Sequence, residues 1–207
     1  MRPEIARLIV PSIYKDLKNH DSVLKYLPVR GMKNSVFFLS HTHRERGEQE
    51  GRSHANPYEV DLALALARHL LMNDYSACQI TILTTYTGQQ QLFRSARQNH
   101  STLKSIRITT VDNYQGEEND IVILSLVRSN EAQNIGFLKT ENRICVALSR
   151  AKQGFYLLGN MDALQGKSRL WNQIAEVLQE NDGLGPAFPL QCEIHGTVSY
   201  VCIESAM

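Results

Sequence analysis

Two neighbouring threonines precede a polar turn between two apolar stretches of the sequence. Thr109 and Thr110 end a strand-like run, and Gln115, Gly116 and Glu118 occupy the turn that follows it. Threonine hydroxyls at a strand end suit the phosphate oxygens of a nucleic-acid backbone. Glycine permits a tight turn or the close approach of a ligand. The same residues also fit a polar loop whose threonines serve only the β propensity of the strand. The pattern alone leaves both interpretations open.

Two arginines follow further along the chain, at the ends of a predicted helix. Arg143 and Arg150 lie seven residues apart within the segment 141–152, so a helix there would project them from nearly the same side. Arginine suits phosphate because its planar fork donates hydrogen bonds in pairs and keeps its charge. Solvated arginines on an outer helix face are the alternative.

Candidate metal ligands occur near the end of the chain. Cys192, His195 and Cys202 lie within a span of eleven residues, at a spacing that zinc sites use. Zinc needs four ligands and no fourth follows, so an incidental arrangement and the beginning of a zinc module both stay open. The histidines of the polar segment 41–55 lack a ligand set at a recognisable spacing, which favours a solvated loop.

Composition bounds the class of protein. The 207 residues are 43% hydrophobic and 21% charged, as in one soluble α/β domain. The sequence has no apolar stretch long enough for a membrane span and no secretory signal. Four scattered cysteines predict reduced thiols and a cytoplasmic protein. A net charge of +1 leaves nucleic-acid binding to local patches.

Helical and strand-like segments alternate, which predicts a parallel sheet with helices on both faces. Asn56 and Pro57 make a strong helix start, and Glu59 is expected to reach back to the cap. Pro11 should kink or split the first helix. The predicted helices cover 3–18, 57–72, 88–98, 141–152 and 168–180, and the predicted strands cover 36–39, 80–83, 106–111, 121–126 and 155–158. We expect one domain over 1–182, a linker over 183–189 and a separate tail over 190–207. The chain has neither glycine-rich phosphate-binding signature, so it carries no evident phosphate cradle of its own.

Several motifs in a fixed order resemble those of superfamily 1 helicases, most closely the up-frameshift-like, RNA-directed branch. Residues 110–118 match T-V-D-x-[FY]-Q-G-x-E, residues 125–128 match S-x-V-R, and residues 143–152 match R-x-N-V-A-L-[ST]-R-A-[KR] except at Cys145. Residues 53–59 match S-x-x-N-x-x-E, residues 84–89 resemble T-P-Y-x-x-Q, and residues 1–5 resemble R-M-x-P-E-I entered after its arginine. The resemblance covers about residues 1–180, and long motifs in this order are specific.

The resemblance implies a second RecA-like, P-loop NTPase-like motor domain. Arg150 would be an arginine finger that reaches the γ-phosphate of ATP held by the first RecA-like domain of the same polypeptide. Glu118 would contact the ATP ribose or the site near it, with Gln115 and Gly116 shaping its turn, and Arg143 is a weaker candidate for the ATP site. ATP and Mg²⁺ would be bound mainly by the first domain.

The resemblance also implies a nucleic-acid site. Thr110, assisted by Thr109, and the pair Thr84 and Thr85 would hold the phosphates of a single-stranded or partly duplex RNA. Arg128 and Ser129 would couple that strand to the ATP site. Because the phosphate-binding loop and the acidic magnesium motif would lie upstream, the chain is expected to be a piece of a longer protein that alone neither hydrolyses ATP nor unwinds a duplex.

Cys145 stands where the family usually has asparagine, Arg2 where histidine is common, and Thr85 where proline is usual. These departures affect the fine geometry and not the class. The stretch from Leu190 resembles the segment beyond the motor in helicases with NFX-type zinc-finger arrays, of a kind associated with innate antiviral RNA sensing. A DNA helicase of the same superfamily and a helicase-derived RNA-binding or sensing module are the alternatives.

Overall fold

A six-stranded parallel sheet forms the centre of the domain. The computed structural model describes residues 1–10, 17–47 and 53–202. The strands of this sheet are β1 (Val36–Ser40), β2 (Ile80–Thr84), β3 (Arg107–Thr110), β4 (Asn119–Ser125), β5 (Ala151–Gly159) and β6 (Leu184–Gly185). Their order in space is β3-β2-β4-β5-β1-β6, and each neighbouring pair is parallel. The predicted α/β class, a RecA-like parallel sheet, is confirmed.

Helices cover both faces of the sheet. The helices are α1 (Pro3–Ala6), α2 (Pro57–Met72), α3 (Thr87–Arg97), α4 (Glu141–Leu148), α5 (Met161–Gln165) and α6 (Arg169–Glu180). Because successive strand side chains point to opposite faces, Phe38 packs in one apolar core with α4, α5 and α6, whereas Phe37 and Leu39 pack in a second core with α2 and α3. Trp171 of α6 is fully buried against Phe38, with the two rings edge to face.

The chain between β3 and β4 determines where the candidate residues lie. Both strands run in the same direction beside β2, with Thr110 and Ser125 each level with Thr84. The chain therefore returns across the sheet through a 3-10 helix at Asp112–Tyr114, whose Tyr114 is buried. Residues 115–118 consequently lie at the end of the sheet where β4 and β5 begin, which we call the amino end. Thr84, Thr110 and Ser125 mark the opposite, carboxyl end.

Two helix predictions are wrong at their ends. The first helix, predicted over 3–18, ends at Ala6, and turns follow to residue 10. Pro11 and the rest of segment 11–16 lie outside the described residues. The helix predicted over 141–152 ends at Leu148, because the chain joins the sheet at Ala151, which pairs with Asn119 of β4. The polar residues at the start of β5 concealed this part of the strand.

The segment predicted as a linker packs on the domain. Leu184 and Gly185 pair with β1 as the sixth strand, and the buried Phe188 contacts the rings of Phe37 and Tyr156. Two further strands, β7 (Phe188–Gln191) and β8 (Val198–Val201), form an antiparallel hairpin. An isolated bridge from Leu190 to Met32 attaches this hairpin to the domain. Among the described residues, none of the helices combines the length and the apolar character that a membrane crossing requires.

Candidate functional site

Arg150 lies at the amino end, in the short connection between α4 and β5. Its guanidinium donates from Nε to the Val146 carbonyl at 2.7 Å, from Nη1 to the Glu117 carbonyl at 3.0 Å and from Nη2 to Ser149 Oγ at 2.7 Å. Main-chain carbonyls of two different segments thus orient the side chain. Arginine has five N–H groups, so these three bonds within the described part of the chain leave two N–H groups for a ligand.

The turn beside Arg150 carries the other candidates of the amino end. Gly116 has a φ of +82°, and a Cβ there would meet nothing within 4 Å. Glycine is therefore favoured by the positive φ and not by a lack of space, and the turn is open to a ligand. Gln115 is exposed next to it. The carboxylate of Glu118 lies 3.1 Å from Lys152 Nζ. The structure thus brings three predicted ATP-site residues, Gln115, Gly116 and Glu118, to the same end of the sheet as Arg150.

The exposed charged groups of this turn form two ion pairs. The hydrogen bond to Glu118 raises the pKa of Lys152, despite an opposing effect of partial burial. Arg107 forms a two-pronged ion pair with Glu117, and this hydrogen bonding lowers the pKa of the Glu117 carboxyl group. The Glu117 carboxyl group is therefore ionised at neutral pH, beside its cationic partner Arg107.

Arg143 is not part of this group. The expectation that Arg143 and Arg150 share a helix face fails because α4 ends before Arg150. Arg143 instead lies over the ring of Phe137, with its guanidinium carbon 4.6 Å from the ring centre. Phe137 in turn neighbours Tyr86 just beyond the carboxyl end of β2, with the two ring centres 6.4 Å apart.

The threonines lie at the carboxyl end, as predicted from their places at strand ends. Thr84 and Thr110 are partners in the register of β2 and β3. Thr109 pairs with Leu83 and so points to the other face. The hydroxyl of Thr85 donates to the Leu126 carbonyl at 3.2 Å. The structure therefore places Thr84 and Thr110 side by side and uses Thr85 to brace the segment after β4.

Arg128 and Ser129 follow β4 at this same end. Arg128 pairs with Glu45 at 3.2 Å, and its guanidinium carbon lies 5.8 Å from the centre of the Tyr86 ring. The backbone N–H of Ser129 donates to Glu45 at 2.7 Å, and its hydroxyl accepts from Asn160 at 3.0 Å. The segment 41–55 was predicted as a solvated loop, but the side chains of His41 and Glu45 are buried here because they pair with Glu59 and Arg128.

Sequence reasoning assigned no role to Tyr86 and Phe137. These two neighbouring rings lie between the guanidinium groups of Arg128 and Arg143, and the hydroxyl of Tyr86 accepts the Phe137 N–H at 3.3 Å. Aromatic rings beside cations suit the stacking of nucleobases. A signal was available for Tyr86, since it lies in the segment 84–89 that carries the family resemblance.

Residues 190–202, the described part of the tail, do not bring together a set of zinc ligands. Cys192 Sγ and His195 Nδ1 lie 3.3 Å apart, and hydrogen bonding from the His195 backbone, followed by its side chain, lowers the pKa of the Cys192 thiol. Cys202 does not join them: the described ranges contain no group of three His, Cys, Asp or Glu side chains that could hold a metal ion. Two ligands of the four that zinc requires do not fit the metal.

Comparison with known protein families agrees with this geometry. Residues 1–162 match the family model described as "AAA domain". The chain therefore belongs to this family of AAA domains. Within it, the similarity is to the up-frameshift-like branch of superfamily 1 helicases, as three relatives show.

The chain is 51% identical over 195 residues to the mouse (Mus musculus) NFX1-type zinc finger-containing protein 1, and the matched region covers 94% of the chain and 10% of that relative. It is 37% identical over 202 residues to the Helicase required for RNAi-mediated heterochromatin assembly 1 of Schizosaccharomyces pombe, covering 92% of the chain and 19% of the relative. It is 37% identical over 161 residues to Regulator of nonsense transcripts 1 of Dictyostelium discoideum, covering 75% and 12%. The chain thus spans a tenth to a fifth of the length of these curated relatives.

Proposed function

We propose that the chain is the second RecA-like motor half of an ATP-dependent RNA helicase. The observation that carries the proposal is the separation of two groups of side chains on one sheet. Arg150 and the Glu117–Glu118 turn lie at the amino end, and the threonines with Arg128 lie at the carboxyl end. The six steps from Asn119 to Ser125 along β4 put these ends about 20 Å apart. One rigid element thus presents one surface to ATP and another to a nucleic-acid strand.

Arg150 acts as an arginine finger in this proposal. Its two remaining N–H groups donate to the γ-phosphate of ATP bound by the first RecA-like domain, across the cleft between the two domains. A fixed positive charge there stabilises the negative charge that develops on the transferred phosphoryl group, an effect of roughly 10³–10⁵ in rate. The carbonyls of Val146 and Glu117 support this role because they hold the guanidinium in place before ATP arrives.

Glu118 contributes to ATP binding rather than to the chemical step. Its carboxylate accepts hydrogen bonds from the ribose hydroxyls, and the left-handed Gly116 lets the turn approach the nucleotide closely. Mg²⁺ and the phosphates are held mainly by the first domain.

The carboxyl end holds the strand through its backbone. Thr110 donates to phosphate oxygens while the fully buried Thr84 supports it from β2, and such contacts position a strand without reading its sequence. Tyr86 and Phe137 add ring surface on which bases stack. The names of two relatives refer to nonsense transcripts and to RNAi, which favours RNA over DNA. The four unpaired cysteines of the described chain favour a reducing, cytoplasmic location.

The experiment measures ATP hydrolysis by the full-length protein with single-stranded RNA, with single-stranded DNA and with no nucleic acid. We expect stimulation by RNA, and Arg150→Ala should lower the stimulated rate by about 10³ or more while nucleotide still binds. Arg97→Ala is the matched control, because Arg97 also donates to a carbonyl, that of Ile106, but lies at the end of α3.

Three results would contradict the proposal. Stimulation by DNA alone would identify a DNA helicase. Tight RNA binding without turnover would identify a binding or sensing module. Equal turnover by the Arg150→Ala and Arg97→Ala proteins would exclude the arginine finger.

A further inference from the structure

Val127, directly after β4, has an unusual backbone conformation. Its φ is +73°, and its side chain is fully buried. The left-handed region is strained for a β-branched residue and persists only where the surroundings enforce it. Such strain corresponds to roughly a fivefold to hundredfold bias of an equilibrium against the conformation. The neighbouring residues must supply the contacts that overcome this bias.

Glu59 and Asn56 hold the backbone of Val127 on both sides. The Val127 N–H donates to both oxygens of the Glu59 carboxylate, at 3.1 and 3.0 Å, and the Val127 carbonyl accepts from Asn56 Nδ2 at 3.3 Å. These two residues belong to the S-x-x-N-x-x-E motif, to which the sequence assigned no role beyond the start of α2. The capping interaction predicted for Glu59 does not form: the Asn56 N–H donates to Gln89 instead, at 2.7 Å.

Burial of the Glu59 carboxylate has a high free-energy cost. Its side chain is fully buried, and removing a carboxylate from water is costly unless its oxygens are fully hydrogen-bonded. Ser125 donates to it at 2.6 Å, and His41 Nε2 lies 3.1 Å away. Its place in the first turn of α2 adds the favourable field of a helix N-terminus. This arrangement concentrates acceptors where the Val127 N–H must be held.

The next residues along the chain are Arg128 and Ser129, which the proposed function places on the nucleic-acid strand. We propose that Glu59 and Asn56 are positioning residues: they hold Val127 in its left-handed conformation and thereby aim Arg128 and Ser129 at the strand. Without them the turn relaxes to a negative φ, and Arg128 leaves its place between Glu45 and the Tyr86 ring. The orientation of Arg128 and Ser129 toward a nucleic-acid strand rests on the proposed function. The stabilisation of Val127 by Glu59 and Asn56 does not.

The first test needs no variant and no RNA. Hydrogen–deuterium exchange on the full-length protein, resolved to the segment 125–129, measures how well the Val127 amide is protected. We expect the Val127 amide to exchange as slowly as the amides of β4, because its acceptor is a buried carboxylate. Exchange at the rate of an exposed loop amide would overturn the hold on Val127, whatever the protein binds.

The second test measures RNA affinity by the fluorescence anisotropy of a labelled single-stranded oligonucleotide, with ATP affinity alongside. Glu59→Gln keeps the volume of the side chain but replaces one acceptor oxygen by a donor. We expect this variant to bind RNA about tenfold more weakly, which lies within the fivefold to hundredfold range estimated from the strain of Val127. Its affinity for ATP should equal that of the wild type. Ser125→Ala is the matched control, because it also removes a hydrogen bond to Glu59 but leaves both contacts to Val127. Its RNA affinity should be unchanged.

A rescue experiment separates positioning from stability. Glycine adopts a positive φ without strain, so the double variant Glu59→Gln with Val127→Gly should regain most of the lost RNA affinity. A lasting tenfold loss in the double variant would overturn the positioning role, as would wild-type affinity in Glu59→Gln. A wild-type protein that binds no RNA would overturn the proposed function. Even then, the exchange rate of the Val127 amide would show whether Glu59 and Asn56 hold Val127 in its conformation.

Discussion

At the scale of single residues, main-chain acceptors fix the candidate catalytic group. Arg150 is oriented by the carbonyls of Val146 and Glu117, so its position follows from where α4 ends and β4 begins. The neighbouring glutamates differ in what they face: Glu117 pairs with Arg107 of β3, and Glu118 pairs with Lys152 of β5. Two adjacent carboxylates thus provide an internal comparison within one turn.

Glu118→Gln should weaken ATP binding by the full-length protein about tenfold, because a hydrogen bond to a charged group contributes roughly 1.5–3 kcal/mol. Glu117→Gln is the matched control and should leave ATP affinity nearly unchanged, since its carboxylate is directed to Arg107. Titration with a fluorescent ATP analogue measures both affinities. Equal losses in the two variants would show that the turn as a whole matters and not the Glu118 carboxylate.

The sequence predicted the position of a site residue correctly where that position depends only on the local backbone conformation. The need for Gly116 follows from a φ that other residues rarely adopt, and the threonines lie where their strands end. The expectation that Arg143 and Arg150 share a helix face failed because it depended on the length of α4, which tertiary pairing cut short. The strained Val127 gave no local signal at all, since nothing in its residue type favours a positive φ.

At the scale of elements, apolar runs and helix starts predicted the sheet and α2 well. Asn56 accepts the Glu59 N–H at 3.4 Å as a cap should, and Pro57 occupies the first turn of α2. The segment 183–189 was predicted as a linker because of its glycines and prolines. In the structure this segment contributes an edge strand and a buried aromatic ring, which are long-range contacts that composition does not reveal.

Phe188→Ala should lower the free energy of unfolding by about 3–5 kcal/mol, because it removes a buried aromatic ring from the core. Urea denaturation followed by circular dichroism measures this change. Tyr200→Ala is the control: Tyr200 lies on the partner strand of the same hairpin but is 67% exposed, so its loss should cost little. Similar small costs for both variants would mean that segment 183–189 is the linker that the sequence predicted.

At the scale of the whole molecule, one sheet carries two separate surfaces. The amino ends of β4 and β5 present Arg150 and Glu118, and the carboxyl end of β3 carries Thr110 beside the buried Thr84 of β2. A rigid sheet suits a motor because a movement driven at one end is carried unchanged to the other. Strand β4 links the two ends, since it begins beside Arg150 and ends at the turn that carries Arg128.

The most direct test of this division is the RNA affinity of two variants of the full-length protein, measured without nucleotide. Arg150→Ala should bind RNA as tightly as the wild type, because its side chain lies at the far end of the sheet. Thr110→Val keeps the shape of the side chain but loses the hydroxyl, and it should bind RNA several-fold more weakly, as expected for a lost hydrogen bond of about 1 kcal/mol. A loss of RNA affinity in Arg150→Ala with none in Thr110→Val would contradict the assignment of the two ends.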